Sequence, residues 1–348
     1  MPELGELPRS LFTSKTVVLL KIHGRFMFNV PDNVRLPNLK ILHLHSLIYL
    51  DDASPQRLFS GCPALEDLEI IRHGWDYAWT FDVSVPSLKR FTLKISRNKM
   101  KRFAECECKI MVNAPNIEYL EISDFGSDRI LIGGLPCLVE AHVSIFMLFG
   151  YWKKREKEYG NDAYGLLRSL SNVKRLSLTA STLKSLRYAD HAHLPTFCNL
   201  VHLELGLDKE NGLLPLPYLL ESSPKLEVLV FREGITLPGG LTYNCRVRDY
   251  KYHWIPPQEI PNCLICCLKA IVVHQFCGVE EEMNLLKYLL KNAMVSEKMI
   301  IFCHRGYSVN FGEELSNYAK CTSNCKFILH IPKCQGKRKR KLRIVPGS

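Results

Sequence analysis

Apolar residues recur along the chain in a short pattern: one apolar residue, a second three positions later and a third two positions after that. The stretch SGCPALEDLEI (60–70) shows it, with Leu65, Leu68 and Ile70 in the three places. The last two places are two residues apart, so they share one face of a strand. The first place precedes the strand and turns into the same interior. Each occurrence therefore predicts a strand with one buried face.

The pattern occurs ten times, and its first positions are spaced by 21 to 29 residues apart from two longer intervals of 35 and 42. One such unit cannot bury its apolar face alone, whereas stacked units share a continuous core. The longer intervals indicate insertions. The ten triplets are Val17-Leu20-Ile22, Leu39-Leu42-Leu44, Leu65-Leu68-Ile70, Leu88-Phe91-Leu93, Ile117-Leu120-Ile122, Leu138-Ala141-Val143, Val173-Leu176-Leu178, Leu200-Leu203-Leu205, Leu226-Leu229-Phe231 and Leu268-Ile271-Val273.

This spacing is typical of leucine-rich repeats. We predict an α/β fold, a leucine-rich-repeat solenoid of the RNI-like horseshoe type with parallel strands on its concave face. The segments between strands are expected to return across the core as helices or turns, for example between Ser54 and Gly61, at 164–171 and at 213–222. A doubly wound sheet of ordinary βα units is the alternative, but no glycine-rich phosphate loop follows any strand.

Six of the repeats share a longer stretch of sequence: LPNLKILHL (36–44), GCPALEDLEI (61–70), VPSLKRFTL (85–93), APNIEYLEI (114–122), LSNVKRLSL (170–178) and SPKLEVLVF (223–231). These repeats resemble those of plant F-box/FBD/LRR-repeat proteins. Trp254-Ile-Pro-Pro and residues 261–301 resemble the FBD domain of the same family.

This resemblance implies a division of the chain into a solenoid (1–250), an FBD domain (251–334) and a basic disordered tail (335–348). The FBD helix NLLKYLLKNA carries an apolar stripe at helical spacing and is expected to form an αβ cap on the C-terminal end of the stack. Residues 1–13 look too short to cover the other end, so we expect modest solubility or self-association. The stripe consists of Leu285, Leu286, Leu289 and Leu290.

Family members carry an F-box that docks on a Skp-type adaptor of a cullin ubiquitin ligase. Residues 7–24 here already resemble the interior of a repeat, so a Skp-type adaptor is not expected to bind this chain. The resemblance implies a non-catalytic protein-interaction module, like the substrate-recognition part of an SCF-type ubiquitin ligase. The alternative is a shortened family member that binds proteins independently of an adaptor and has no ligase coupling.

Residues that alternate with the buried pair are expected to face the concave side. They include acidic and basic residues in similar number, whereas a nucleic-acid groove needs a basic stripe with interleaved aromatic residues. The mixed charges favour a protein or peptide target of unknown identity over a nucleic acid. A solvated sheet face without a partner is the alternative. The predicted contact residues are Lys21, His43, His45, Asp67, Glu69, Arg90, Lys94, Tyr119, Glu121, His142, Arg175, His202, Glu204 and Arg232.

Two further segments carry possible signals. Tyr151, Trp152 and Tyr159 lie in an insertion and are expected either to anchor a projecting contact loop or to belong to a solvated helix or loop. The net charge is +11, and six of these charges lie in the last dozen residues. This basic run suggests nuclear import and hence a location in the nucleus, the cytoplasm or both; a solvated tail is the alternative. Its residues are Lys337, Arg338, Lys339, Arg340 and Lys341.

No sequence motif points to catalysis. There is neither a G-x-S-x-G nucleophile motif nor a P-loop, so no enzyme activity and no cofactor are expected. Cys263, Cys266, His274 and Cys277 have spacings that resemble a zinc site, but Leu268-Ile271-Val273 places this stretch on a strand, and free thiols are favoured over metal ligands. No apolar run is long enough to span a membrane, so no membrane partner is expected.

Overall fold

A computed structural model describes residues 5–72, 77–95, 109–124, 129–146, 156–186, 194–207, 215–235, 256–304, 314–315, 317 and 325–331. The strands, numbered along the chain, are β1 (Gly5–Glu6), β2 (Leu19–His23), β3 (Phe26–Phe28), β4 (Ile41–His45), β5 (Ile48–Tyr49), β6 (Asp67–Arg72), β7 (Thr80–Val83), β8 (Arg90–Ile95), β9 (Lys109–Val112), β10 (Tyr119–Asp124), β11 (Arg129–Ile132), β12 (Glu140–Ile145), β13 (Arg175–Leu178), β14 (His202–Leu205), β15 (Val228–Phe231), β16 (Ala270–Phe276), β17 (Lys298–Cys303) and β18 (Lys326–His330). The α-helices are α1 (Ala53–Ser60), α2 (Glu156–Ser169), α3 (Ala180–Ser185), α4 (Leu216–Glu221), α5 (Asn262–Cys266) and α6 (Glu280–Asn292), and Arg9–Thr13 form a 3-10 helix.

Twelve strands form one large parallel sheet in the order β2-β4-β6-β8-β10-β12-β13-β14-β15-β16-β17-β18. The first ten of these strands are those predicted from the ten apolar triplets. Their register places the middle residue of each triplet beside the middle residue of the next, for example Leu42 beside Leu68 and Leu203 beside Leu229. The register holds across the two long insertions as well. The predicted fold class of stacked α/β repeats with parallel strands is thus confirmed.

One hydrophobic core runs through the whole stack. Leu42, Leu68, Leu120, Leu203 and Leu229 are all fully buried in it. Burying each of these side chains contributes roughly 1.5–3 kcal/mol relative to exposure, so the column they form is a main source of stability. The triplets therefore line a shared interior rather than separate cores.

The segments that return between strands differ in part from the prediction. Helices α1, α2 and α4 lie close to where they were expected, but two small parallel sheets, β1-β3-β5 and β7-β9-β11, replace helices in other repeats. The segments TFDV, KIMV and RILI are short and rich in β-branched and aromatic residues, which fit a pleated, half-buried surface better than a helix. Phe81, Ile110 and Ile130 point from these strands into the core.

The C-terminal region adds to the same sheet. Helix α6 follows β16 and buries the predicted leucine stripe, and β17 and β18 then extend the sheet in parallel. At the other end, the 3-10 helix inserts Phe12, which is 1% exposed and meets Phe28 edge-on at 6.3 Å between ring centroids. Residues 9–13 therefore do cover core at this end, contrary to expectation. Among the described residues, no helix combines the length and apolarity needed to cross a bilayer.

Candidate partner-binding face

We call the surface of the twelve-stranded sheet that is turned away from the core the open face. It carries the residues that alternate with the buried triplet positions, so all fourteen predicted contact residues lie on it, Arg232 directly after the end of β15. Lys21, Arg90, Arg175 and Arg232 are exposed and the other ten are half-buried. The parallel register brings residues from neighbouring strands into rows, which places charges of opposite sign side by side.

A histidine cluster occupies the open face on β2 and β4. The rings of His43 and His45 are stacked with centroids 6.1 Å apart, and His23 meets His45 edge-on at 5.6 Å. On β6, Glu69 Oε1 lies 2.6 Å from His45 Nε2 and Asp67 Oδ1 lies 3.7 Å from His43 Nε2. Two carboxylates thus face two imidazoles across the β4–β6 pair.

The next strands carry an aromatic and ionic cluster. The Arg90 guanidinium lies 3.8 Å from the centroid of the Tyr119 ring, within the range of a cation–π interaction. Tyr119 Oη donates to Glu121 Oε2 at 3.2 Å, and Lys94 Nζ lies 2.8 Å from Glu121 Oε1. Burial and the neighbouring Glu121 carboxylate raise the pKa of Tyr119 to about 12, so its hydroxyl remains a donor at neutral pH.

Glu140 connects β12 with β13. Its Oε2 accepts hydrogen bonds from Arg175 Nη2 and, at 2.9 Å, from Nε, and its Oε1 lies 2.8 Å from His142 Nε2. Burial alone raises the pKa of Glu140, but the bonds from His142 and Arg175 outweigh burial and lower it. Sequence reasoning placed Glu140 on this face but did not select it, because its two partners become visible only through the strand register.

The open face changes character on its C-terminal strands. Apolar side chains replace the charged ones there, and the rings of His274, Phe302 and His330 are stacked, with centroids 4.8 and 4.6 Å apart. Sequence reasoning placed the residues of β15 and β16 on this face without selecting the apolar ones, and β17 and β18 did not match the triplet. The half-buried or buried apolar residues are Val228, Val230, Val272, Ile300 and Ile328.

The candidate zinc cysteines do not come together. Cys263 is buried in α5, where its Sγ donates to the Leu220 carbonyl at 3.4 Å and burial raises its pKa to about 12. Residues 262–266 form a helix, so the expectation that this stretch belongs to a strand is wrong for its first half. Within the described residues, His43, His45 and Glu69 are the one group whose ligand atoms lie close enough to hold a metal ion.

The remaining predicted segments are placed only in part. Tyr159 lies in helix α2, whereas Tyr151 and Trp152 fall outside the described residues. The basic residues 337–341 also fall outside them. Their proposed roles therefore stay predictions.

The geometry defines the class of protein: a stack of leucine-rich repeats with an open sheet face and a C-terminal α/β extension. Comparison with known families agrees with it. Residues 1–140 match the family model of the LRR repeats of the FBD-associated F-box protein At5g56370, and residues 256–301 match the FBD model.

Similar proteins come from Arabidopsis thaliana. The FBD-associated F-box protein At3g50710 is 30% identical over 338 residues, which cover 93% of this chain and 71% of the relative. The F-box/LRR-repeat protein At4g14096 is 33% identical, covering 85% of this chain and 62% of the relative, and the F-box/FBD/LRR-repeat protein At4g26340 is 32% identical, covering 82% and 62%. The chain belongs to the F-box/FBD/LRR-repeat family, and it spans about three fifths to seven tenths of the length of these relatives.

Proposed function

We propose that this chain is a non-catalytic interaction module that binds a protein target on its open face. The observation that carries the proposal is the set of paired charges of both signs that occurs between β8 and β15 on one side of a single sheet. Adjacent strands are about 4.8 Å apart, so twelve strands present a surface on the order of 50 Å long, which is ample for a standard protein interface.

The charge pattern supports a protein rather than a nucleic acid as the partner. Glu121, Glu140 and Glu204 lie on the open face among the basic residues, and each would repel a phosphate backbone. A protein surface with its own alternating charges can instead pair with the exposed ends of Arg90, Arg175 and Arg232, and such complementarity provides specificity. The apolar C-terminal strands supply area for desolvated contacts.

The names of the relatives contain the term F-box, which supports a role in substrate recognition for a ubiquitin ligase. Here the target would be held by the repeats and presented for ubiquitin transfer. The second candidate is target binding without any ligase coupling.

The target-binding proposal is tested by affinity capture from plant extract with matched variants. The variant E140K breaks the pairs with Arg175 and His142 and reverses a charge at the centre of the face, whereas E221K places the same change at an exposed helix end away from the sheet. We expect a target that binds the wild type and E221K to be lost with E140K. A target that both variants retain would contradict binding on this face.

Ligase coupling is tested by mixing the purified chain with a Skp-type adaptor in size-exclusion chromatography. Separate elution of the two proteins would support the second candidate. Co-elution at equal stoichiometry would instead support ligase coupling and exclude the second candidate.

We also propose that the basic run at 337–341 acts as a nuclear import signal. Compact runs of Lys and Arg serve this purpose in many proteins. Residues 330–348 fused to a fluorescent reporter are expected to concentrate it in the nucleus, and the same fusion with the five basic residues replaced by Gln is expected to stay evenly distributed. An even distribution of both fusions would end the proposal.

A further inference from the structure

We propose that His43, His45 and Glu69 form a binding site for a divalent transition-metal ion of the zinc type, which we call the HHE site. The site lies on the open face. Metal binding there does not depend on target binding and is tested without a target. Metal coordination would be a second function of the face that we propose for protein binding.

The fold places the three ligands where a metal ion needs them. His43 and His45 are two residues apart on β4 and therefore project from the same face of the sheet. Glu69 on β6 is the direct neighbour of His43 in the parallel register. The ligand atoms of all three lie within 4.8 Å of one another.

Side-chain rotation is needed to close the site. Zinc is held at about 2.0–2.1 Å by imidazole nitrogen and about 2.0–2.2 Å by carboxylate oxygen, so ligand atoms around a tetrahedral ion lie about 3.3 Å apart. The ligand atoms lie within 4.8 Å of one another, so rotation of the three side chains without backbone movement can bring them into this range. The rings of His43 and His45 are nearly parallel, with an interplanar angle of 7°, so at least one ring has to turn before both lone pairs point at one ion.

Within the described residues, the Nε2 atoms of His43 and His45 lie near carboxylates but have no hydrogen-bond partner. The Nε2 atoms of His43 and His45 are both shielded from solvent, and neither makes a hydrogen bond to a described residue. Glu69 approaches His45 Nε2 to 2.6 Å without the alignment that a hydrogen bond requires. An enclosed polar atom without a partner costs free energy, and metal coordination through the Nε2 lone pairs would satisfy both atoms.

A second histidine–glutamate pair on the same face differs from the HHE site because its imidazole is hydrogen-bonded. His142 Nε2 makes a well-formed 2.8 Å hydrogen bond to Glu140, which Arg175 also engages. The Nε2 atom of His142 is therefore satisfied by a protein group. This pair is a matched control for the HHE site.

The local charge favours a cation. Asp67 lies 3.7 Å from His43 Nε2 and adds a second carboxylate next to Glu69. Lys21 is the neighbour of His43 on the other side, but its side chain is exposed and its charge is screened by water. Three protein ligands leave a fourth position for water or for a side chain of a bound protein, as in zinc sites with an open coordination position.

The test is a titration of the full-length chain with Zn²⁺ by calorimetry and by competition with a chromophoric chelator. Exposed thiols such as Cys137, Cys198 and Cys266 also bind zinc, so they are first blocked by alkylation under native conditions. We expect one ion per chain. The variants H43N, H45N and E69Q should each bind at least tenfold more weakly, whereas H142N should bind as the wild type does.

Cobalt substitution reports the ligand set directly. Co²⁺ in the site is expected to give the visible bands of a tetrahedral or five-coordinate nitrogen–oxygen site, without the charge-transfer band of thiolate ligands. Circular dichroism melts establish that each variant is folded, and E69Q at the half-buried surface carries the test if a histidine variant is not. No binding after alkylation, binding unchanged in E69Q and H45N, or a thiolate band would each overturn the proposal.

Discussion

At the scale of single residues, buried polar groups fix the chain where the sheet connects to helix α6. Glu282 is fully buried and accepts hydrogen bonds from the backbone N–H groups of Cys277, Gly278 and Val279 at 2.9, 2.7 and 3.4 Å. Gly278 has a φ of 76°, which other residues adopt only with strain. The glycine turn and the carboxylate together determine how the helix leaves β16.

The variant E282Q is expected to lower the free energy of unfolding by about 1–3 kcal/mol, because a neutral amide replaces a charged acceptor of several hydrogen bonds. Chemical denaturation measures the change. E280Q, an exposed change in the same helical turn, serves as control and should cost much less. Equal effects of the two variants would show that the buried bonds of Glu282 contribute little.

His202 provides a pH-dependent prediction. Burial lowers the pKa of His202, and this effect outweighs the opposite effect of the nearby Glu204 carboxylate. The folded protein thus favours the neutral imidazole, so the stabilisation is present above the unfolded pKa of about 6.5 and is lost as pH falls through the lower folded pKa. NMR titration should give a midpoint below about 6.5. A midpoint at or above the unfolded value would contradict the burial argument.

At the scale of elements, the strands of the large sheet were predictable and the return segments were not. Ten strands follow from their apolar triplets because each strand must bury the same face. Strand β17 escaped this search because Ser296 occupies the first triplet position, where it contacts Cys325 at 3.4 Å instead of filling the core with an apolar side chain. The short strands β7, β9 and β11 depend on one another for pairing, and a local pattern does not reveal such partners.

The HHE site and the Glu140 cluster show the same limit. Sequence reasoning placed His43, His45 and Glu69 on one face, because alternation in a strand decides that. It could not tell that Glu69 lies beside His43 rather than one residue further along, since register between strands is set by packing of the whole stack. The sequence therefore predicts that this face exists, but the contacts between its side chains are known only from the structure.

The column of core leucines predicts the cost of a cavity in the stack. Leu203→Ala is expected to lower the free energy of unfolding by about 2–5 kcal/mol, since Leu203 is fully buried between neighbouring strands. Ser177→Ala on the open face should change it by about 0.5 kcal/mol or less. Denaturant unfolding of both variants is the measurement, and a small loss for Leu203→Ala would mean that the repeats do not share one core.

At the scale of the whole molecule, the two edge strands of the large sheet are covered to different extents. The edge strand β2 leaves Val18 and Leu19 about half exposed, although Phe12 covers part of the core behind it. Strand β18 at the opposite edge is paired on one side, and its residues are half-buried or exposed. Central strands have neighbours on both sides, so stability should be highest in the middle of the molecule.

Hydrogen exchange followed by mass spectrometry is expected to show this gradient. Peptides from β8 to β14 should exchange most slowly, and peptides from β2 and β18 should exchange first, because edge strands lose their pairing without disturbing two neighbours. Uniform protection from β2 to β18 would indicate a single cooperative unit and contradict the gradient.

The constant strand register across insertions of unequal length affects how the sequence of such a protein can evolve. Strand β12 pairs with β13 and β15 pairs with β16 in the same register as the other strands, although the connections between them are longer. The positions of side chains on the open face therefore stay fixed relative to one another when residues are inserted between strands. A single substitution can change one contact residue, and an insertion between two strands leaves the other contact residues in place.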